Sequence, residues 1–365
     1  MAKKRKKLKI AMTSYLAHEM SDKTTASRQH VIYDLTQELI KAGHSVTIFG
    51  SSDYNVPGAT IIPISKKILD KTPAENPFYQ YMSYATVMVK ELEKHAKQFD
   101  IIHNHLYPEF LTLLGAQKIK TPIVTTIHTQ ITKDLGRVLK YFSKYPFVAL
   151  SQRQRDLCPE LSWMGVVYNG INLDHFDFSP KSKGYALFFG RMKIYKDAQN
   201  RLHDPKGFTV AIDVARQTKH KLKLAGNVEG GLRTYNKFIK PYLSKNIKFV
   251  GPVSELGPIG PKQKVSLYKN AKTLLNPIEW EEAFGLVMAE AMACGTPVIT
   301  FDRGSAREVV QDGITGFVVK NKQEMAKALG HIEDIDRQAC RKRVEQLFSR
   351  QIMAQEYEKI YYKLI

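Results

Sequence analysis

Short apolar runs of four to eight residues alternate along this chain with longer stretches in which apolar residues recur every three or four positions. The first signature is that of buried strands and the second that of amphipathic helices. Residues 8–15 read as a first strand, followed by a loop over 16–26 and a helix over 27–42 whose apolar face is Val31, Ile32, Leu35, Leu39 and Ile40. Gly43-His44 ends that helix and 45–49 is the next strand. Further strands are predicted at 100–105, 123–129, 147–151 and 166–171, and a second series at 185–189, 221–225, 247–250, 273–276, 298–301 and 317–319. Helices such as 262–270 lie between them, and the alternation predicts parallel, doubly wound sheets. At 365 residues the chain suits two such domains. The reading is a basic tail over 1–7, a first domain over 8–172, a polar linker over 173–183, a second domain over 184–348 and a closing helix over 349–365.

One stretch, residues 276–297, carries the clearest chemistry. It reads as a strand end, an acidic loop and a short helix over 285–294 that Gly295 stops and Pro297 prevents from continuing. The first N–H groups of a helix lack intrahelical partners and its dipole is positive there, so an anion is favoured at that point. Glu282 stands just before this start and Glu290 lies within the helix, leaning back towards it. Carboxylates accept hydrogen bonds from paired hydroxyls, so the set suggests a sugar, a diphosphate and a ribose. The plainer alternative is a solvated loop acid and an ion-paired helix residue, with Arg303 or Arg307 as partner. Against it, Leu286, Val287, Ala289, Ala291, Met292 and Ala293 make the helix apolar nearly all round, where a charge is costly unless it has a partner or a task.

Glu282 and Glu290 with seven residues between them, Phe284-Gly285-Leu286-Val287 inside that interval and Ala291-Met292-Ala293-Cys294-Gly295-Thr296-Pro297-Val298 after it, resemble the signature of glycosyltransferase family 4. The resemblance runs from about Leu8 to Leu364 and implies an α/β chain of the GT-B fold: two Rossmann-like domains with parallel sheets, facing across a cleft, and a last helix that crosses back to the first domain. It implies a retaining enzyme that moves a hexose from a UDP- or GDP-sugar, with no metal or other cofactor required. Donor binding would fall to Glu290, to the backbone of Gly285, Leu286 and Val287, and to Gly226, Val250 and Gly251 near the base. Glu282 would hold sugar hydroxyls and His128 would contact the transferred sugar. An arginine and a lysine bind the diphosphate in the family; Arg191 is the arginine. Lys196 keeps the usual spacing from it, whereas Lys206 lies ten residues later in Asp204-Pro205-Lys206-Gly207 and opens a helix. Lys206 is preferred, since a helix start with glycine and lysine suits phosphate, and the residues before it then read as an inserted loop. Ala26-Ser27 stands where the family usually has a Gly-Gly pair, so that loop is expected to work differently here.

The remaining features narrow the function classes. No Gly-x-Gly-x-x-Gly follows the first strand and no phosphate loop of the Gly-Lys-Ser/Thr kind occurs, which argues against nicotinamide-dependent and P-loop enzymes. His103, His105 and His128 invite a metal, yet no carboxylates accompany them at ligand spacing. Asp334-Ile335-Asp336 resembles a metal-binding Asp-x-Asp but falls in a polar helical region and reads as a solvated face. Cys158, Cys294 and Cys340 have no metal-like spacing and fit a reducing compartment. Without a long apolar run or secretory signal the expected location is cytoplasmic. The net charge of +20 favours phosphorylated or membrane-borne partners. The basic helix with Ile131, Leu135, Val138, Leu139 and Phe142 has two readings, a surface helix packed on its own sheet or a peripheral contact with an anionic membrane. The expected acceptor is a glycan or lipid-linked precursor of a surface polysaccharide. Two rivals stand beside this reading: a GT-B epimerase or phosphorylase, and a basic nucleic-acid-binding protein. Nucleic acid is disfavoured as a partner because the lysines are spread over the helices instead of being concentrated with aromatics in one groove.

Overall fold

Apolar runs such as Ile101–Asn104 and Ile123–Thr126 become strands buried on both faces, as the interior of a parallel sheet requires. A computed structural model describes residues 6–251 and 259–365, and everything below concerns those residues; the first part of the 1–7 tail lies outside them. By internal contacts the chain forms two units, one of residues 1–170 and 350–365 and the other of residues 171–349.

The first unit is built on a seven-stranded parallel sheet in the order β3-β2-β1-β4-β5-β6-β7. Its strands are β1 (Lys9–Thr13), β2 (Ser45–Ser51), β3 (Thr60–Ser65), β4 (Ile101–Asn104), β5 (Ile123–Thr126), β6 (Pro146–Ala149) and β7 (Ser162–Val166). The helices are α1 (Ser27–Lys41), α2 (Pro77–His95), α3 (Phe110–Gly115), α4 (Lys133–Lys140) and α5 (Gln152–Asp156). The last strand ends where the sequence places its beginning: Val166 closes β7, and the residues around Asn169-Gly170 carry the chain out of the unit. The core beneath α2 gathers Phe49, Met88, Leu92 and Ile102. A second cluster, with Ile127, Phe147 and Cys158, takes up Ile131 and Leu139, so the apolar side of α4 packs on its own unit while Lys133, Arg137 and Lys140 are exposed. The closing helix, α13 (Arg350–Leu364), also belongs here. Arg350 reaches Asp34 at 3.3 Å and Glu38 at 2.9 Å on α1, and Tyr357 and Tyr361 are fully buried.

The second unit holds a six-stranded parallel sheet. Its strands are β8 (Tyr185–Phe189), β11 (Lys221–Ala225), β12 (Ile247–Val250), β13 (Ala271–Asn276), β14 (Val298–Phe301) and β15 (Gly316–Val319), in the order β12-β11-β8-β13-β14-β15. The helices are α6 (Phe208–Thr218), α7 (Gly231–Phe238), α8 (Pro261–Asn270), α9 (Leu286–Ala293), α10 (Ala306–Val309), α11 (Lys322–Gly330) and α12 (Arg337–Leu347). The polar insertion after β8 is itself structured, as an antiparallel hairpin of β9 (Tyr195–Lys196) and β10 (Leu202–His203). Asp197 holds it together, bonding the backbone N–H groups of Gln199 and Arg201, the Arg201 guanidinium at 2.7 Å and His203 at 2.9 Å. Asp336 is a cap: its carboxylate accepts from the N–H groups of Gln338 and Ala339 at the start of α12. All three cysteines are buried and free, with burial pushing the Cys294 and Cys340 thiols up to about 12. No helix among the described residues is long and apolar enough to cross a membrane.

Candidate functional site

In open α/β sheets, ligands bind outside the carboxyl ends of the strands, and it is there that the second unit gathers its charged side chains. Three loops converge. Gly190-Arg191 follows β8, the acidic loop 277–285 follows β13, and 302–305 follows β14. Two bonds tie the last two together, Ser305 N–H to Glu282 O at 3.1 Å and Ser305 Oγ to Phe284 O at 2.7 Å, while Met192 N–H donates to Asn227 O at 2.8 Å and ties the first to the loop after β11.

Lys206 enters this group from the segment between the hairpin and α6. The segment is shaped by Asp204, a buried carboxylate that accepts from Gly207 N–H at 2.9 Å, Thr209 N–H at 2.7 Å and Thr209 Oγ1 at 2.8 Å, satisfying first-turn donors of α6. Gly207 is left-handed, at φ +77°, and a Cβ there would stand 2.1 Å from Pro277 O. The lysine segment therefore lies directly on the acidic loop, and Glu279 N–H donates to Pro205 O across the contact at 3.1 Å. Only glycine meets both demands at this place.

The result is a compact charge arrangement. Lys206 Nζ lies 2.5 Å from Glu282 Oε2 and 4.5 Å from the centre of the Trp280 ring, and the Trp280 indole N–H donates to the same oxygen at 3.0 Å. Burial pushes the Glu282 carboxyl up, but the charge and hydrogen bond of Lys206, the Trp280 N–H and the charge of Arg191 outweigh it, and the group is held below its ordinary value. Arg191 itself pairs with Glu229 at 3.1 Å, as does Lys193 at 2.9 Å. Lys196 is carried on the exposed hairpin, with Asn200 Oδ1 3.4 Å from its Nζ, so of the two candidate lysines it is Lys206 that stands beside Glu282.

Beyond the acidic loop, Gly285 caps α9 in a left-handed conformation at φ +77°, and Gly285, Leu286 and Val287 are half-buried while the rest of α9 is buried. Glu290 is 8% exposed. Its partners are Lys264 at 2.7 Å and the Tyr268 hydroxyl at 2.9 Å, in place of the Arg303 or Arg307 that the sequence offered; Arg307 instead pairs with Asp302 through two bonds. Gly226 and Gly251 directly follow β11 and β12, and Val250 ends β12, at the same end of the sheet. Trp280, Asp204, Lys264 and Tyr268 went unread in the sequence. The one signal for the last two was their spacing of four on a predicted helix.

The histidines lie in the first unit, at the carboxyl ends of β4 and β5. His103 and His105 are fully buried and His128 half-buried. They form a chain through bonds and one ring contact: His103 Nδ1 meets Tyr361 Oη at 2.6 Å and Nε2 meets Thr126 Oγ1 at 2.8 Å, the His103 and His105 ring centres lie 3.7 Å apart, and His105 Nδ1 meets His128 Nε2 at 2.8 Å. Burial holds His103 down to about 3, and burial with the neighbouring histidines and Arg28 holds His105 and His128 well below the ordinary value, so all three are neutral near pH 7. Beside them Arg28 reaches the buried Glu109 at 3.2 Å. Arg28 follows Ala26-Ser27 in the first turn of α1, and its guanidinium stands over Tyr107 at 5.1 Å.

Comparison with known proteins assigns the chain. Residues 29–175 match the family described as Glycosyltransferase Family 4, and residues 178–346 match Glycosyl transferases group 1. The chain is 28% identical over 244 residues to a phosphatidyl-myo-inositol mannosyltransferase of Mycobacterium leprae, a match that spans 60% of each chain. It is 25% identical over 350 residues to the protein of the same name from Mycobacterium tuberculosis, spanning 87% of this chain and 85% of that one. Among solved structures it resembles HepE of Anabaena in complex with UDP-glucose, with a TM-score of 0.69 at 17% identity, covering 98% of this chain and all of that one. Two parallel-sheet units of seven and six strands match the GT-B architecture, and the chain belongs to glycosyltransferase family 4.

Proposed function

We propose that this glycosyltransferase moves a hexose from a UDP- or GDP-sugar to a lipid-linked or surface-glycan acceptor, with retention at the anomeric carbon. The observation that carries the reading is the grouping of Lys206, Glu282 and Trp280 ahead of the open start of α9, with Arg191 near enough to act on the Glu282 charge. Loss of the nucleoside diphosphate leaves negative charge on the departing phosphate and an oxocarbenium-like sugar. Fixed positive groups aimed at the developing charge are the largest source of catalysis in such a step. Lys206, Arg191 and the N–H groups of Gly285, Leu286 and Val287 would supply them, and no metal is then needed. Glu282 would accept sugar hydroxyls and Glu290 the ribose hydroxyls. Gly226, Val250 and Gly251 would border the base, and His128, a neutral imidazole, would contact the transferred sugar. The departing phosphate would take the acceptor proton, so no side-chain nucleophile is required. The mycobacterial relatives are named for mannosyl transfer to phosphatidyl-myo-inositol, and HepE is seen with UDP-glucose; these names support the donor and acceptor classes. An acceptor of this kind would bring the enzyme to the inner face of a membrane as a cytoplasmic, peripheral protein, with the exposed Lys133 and Arg137 of α4 available to anionic lipid.

The test is thermal stabilisation of the wild type, Lys206→Ala and Glu290→Ala against a panel of nucleoside diphosphates and nucleotide sugars, since a ligand that binds only the folded form raises the melting temperature. A nucleotide sugar that shifts the wild type and neither variant is the expected result. A panel in which every compound leaves the wild type unmoved counts against the donor assignment. The anomeric configuration of the product, read by NMR, decides retention.

A further inference from the structure

Lys264 and Tyr268 are one turn apart on α8 and therefore project from the same face. Both end on one carboxylate. Lys264 Nζ is 2.7 Å from Glu290 Oε1, and Tyr268 Oη is 2.9 Å from Glu290 Oε2. Tyr268 is fully buried, and its strand-side end is anchored where Thr296 Oγ1 donates to Tyr268 O at 2.6 Å. The Lys264 side chain is 17% exposed, and its ammonium stands over the Phe176 ring at 5.6 Å. Each oxygen of Glu290 is thus fixed by one donor of different chemistry, a cation on one side and a neutral phenol on the other. A carboxylate offers about four acceptor positions. Two are used here, one on each oxygen, which leaves one on each for an incoming pair of hydroxyls.

We propose that Lys264 and Tyr268 are positioning residues for nucleotide binding: together they hold Glu290 so that its two remaining acceptor positions meet the adjacent 2′- and 3′-hydroxyls of the donor's ribose. The proposal rests on the ribose role given to Glu290 above. A clamp of this kind works only on ligands that carry the hydroxyls. A staple that merely joins α8 to α9 would act on every nucleotide alike, and this difference separates the two roles.

The experiment is calorimetric titration of the full chain with UDP, GDP and ADP and with the 2′-deoxy and 2′,3′-dideoxy forms of whichever binds. The wild type is expected to lose about tenfold in affinity when the hydroxyls are removed, the scale of hydrogen bonds to a charged group. Lys264→Met and Tyr268→Phe are expected to weaken the ribose form about tenfold and threefold while binding the dideoxy form as the wild type does, so that discrimination vanishes in the first and falls to about threefold in the second. Lys264→Arg, which keeps a cation at the same place, is expected to restore part of it. Equal losses on ribose and dideoxy forms, or undiminished discrimination in both variants, would overturn the clamp. A wild type that binds nucleotide without regard to the hydroxyls overturns the ribose role of Glu290 and the clamp with it, and a wild type that binds none of the three nucleotides overturns the donor assignment itself. Circular dichroism checks each variant's fold, and Tyr268→Phe, which removes a single oxygen, carries the test if Lys264→Met does not fold.

Discussion

Lys206 Nζ and Glu282 Oε2 lie 2.5 Å apart, with the Trp280 ring under the lysine and its N–H on the same carboxylate oxygen. In the proposed reaction the two charges face different parts of one donor, the lysine the phosphate and the carboxylate the sugar. Each also holds the other in place, so the site is preorganised.

Removing the lysine should therefore have two consequences. Lys206→Ala is expected to lower kcat about 10²- to 10³-fold, the usual effect of deleting one preorganised donor to a developing charge. It should also move the acid limb of the rate profile upwards. The wild-type Glu282 is held below its ordinary value by Lys206 against the upward push of burial; once the lysine is gone, burial remains. Steady-state rates from pH 4 to 8 test this. An unchanged acid limb would mean that Glu282 does not titrate in the rate.

Trp280 separates packing from hydrogen bonding. Trp280→Phe keeps an aromatic face for Lys206 and deletes the N–H donor to Glu282, so kcat/KM should fall about tenfold, in line with loss of a hydrogen bond to a charged group. Trp280→Leu also removes the ring face, a contact worth about 0.5–2 kcal/mol, and should fall further. Equal rates for the two variants would show that the ring face contributes nothing.

Asp204 bears on stability and activity together. Asp204→Ala strips Thr209 N–H and Thr209 Oγ1 of their acceptor at the start of α6 and leaves Gly207 N–H only its bond to the main-chain carbonyl of the same residue at 3.0 Å. A loss of about 1–2 kcal/mol is expected, the scale of a deleted helix cap, measured by urea unfolding. Because the same carboxylate shapes the segment that carries Lys206, kcat should fall as well. A stable but fully active variant would mean that Lys206 is positioned from the acidic loop alone.

Most of the second unit was legible because its strands are short, apolar-rich runs and its signature helix is bounded by glycine at both ends. The GT-B architecture and the family followed from the interval between Glu282 and Glu290. What stayed hidden was pairing across distance. Glu290 offered no sequence cue that its partners would come from α8, since Lys264 and Tyr268 lie more than twenty positions upstream. Residues 192–205 read as a loop because each strand of their hairpin is two residues long, too short for any period to register. The strand β7 was displaced towards Val167-Tyr168 because Ser162 and Gly165 leave only Trp163-Met164 as an apolar pair ahead of Val166. The histidines gave a strand-end pattern, but their linkage to Thr126 and Tyr361 depends on the last helix packing on the same unit.

The histidine chain fixes how the first unit should respond to acid. His103, His105 and His128 have folded values below the unfolded value of about 6.5, His103 at about 3. Below pH 6.5 the unfolded chain takes up protons that the folded chain refuses, so stability falls as pH falls, by up to about 1.4 kcal/mol per pH unit for each histidine. Glu109 acts the other way at lower pH. Its burial, only partly offset by Arg28, raises its value, so the folded form gains its proton first and stability rises as pH falls towards the ordinary carboxylate range. Between pH 6.5 and 5 the histidines should dominate. The chain has two tryptophans, so Trp280→Phe leaves Trp163 as the sole indole and its fluorescence reports the first unit. In that background the urea midpoint should drop from pH 7.5 to 5.5, and His105→Asn, which removes one of the refused protons, should lower the midpoint at pH 7.5 but flatten the dependence on pH. A variant that keeps the full slope would show that these imidazoles take up their protons without unfolding the unit.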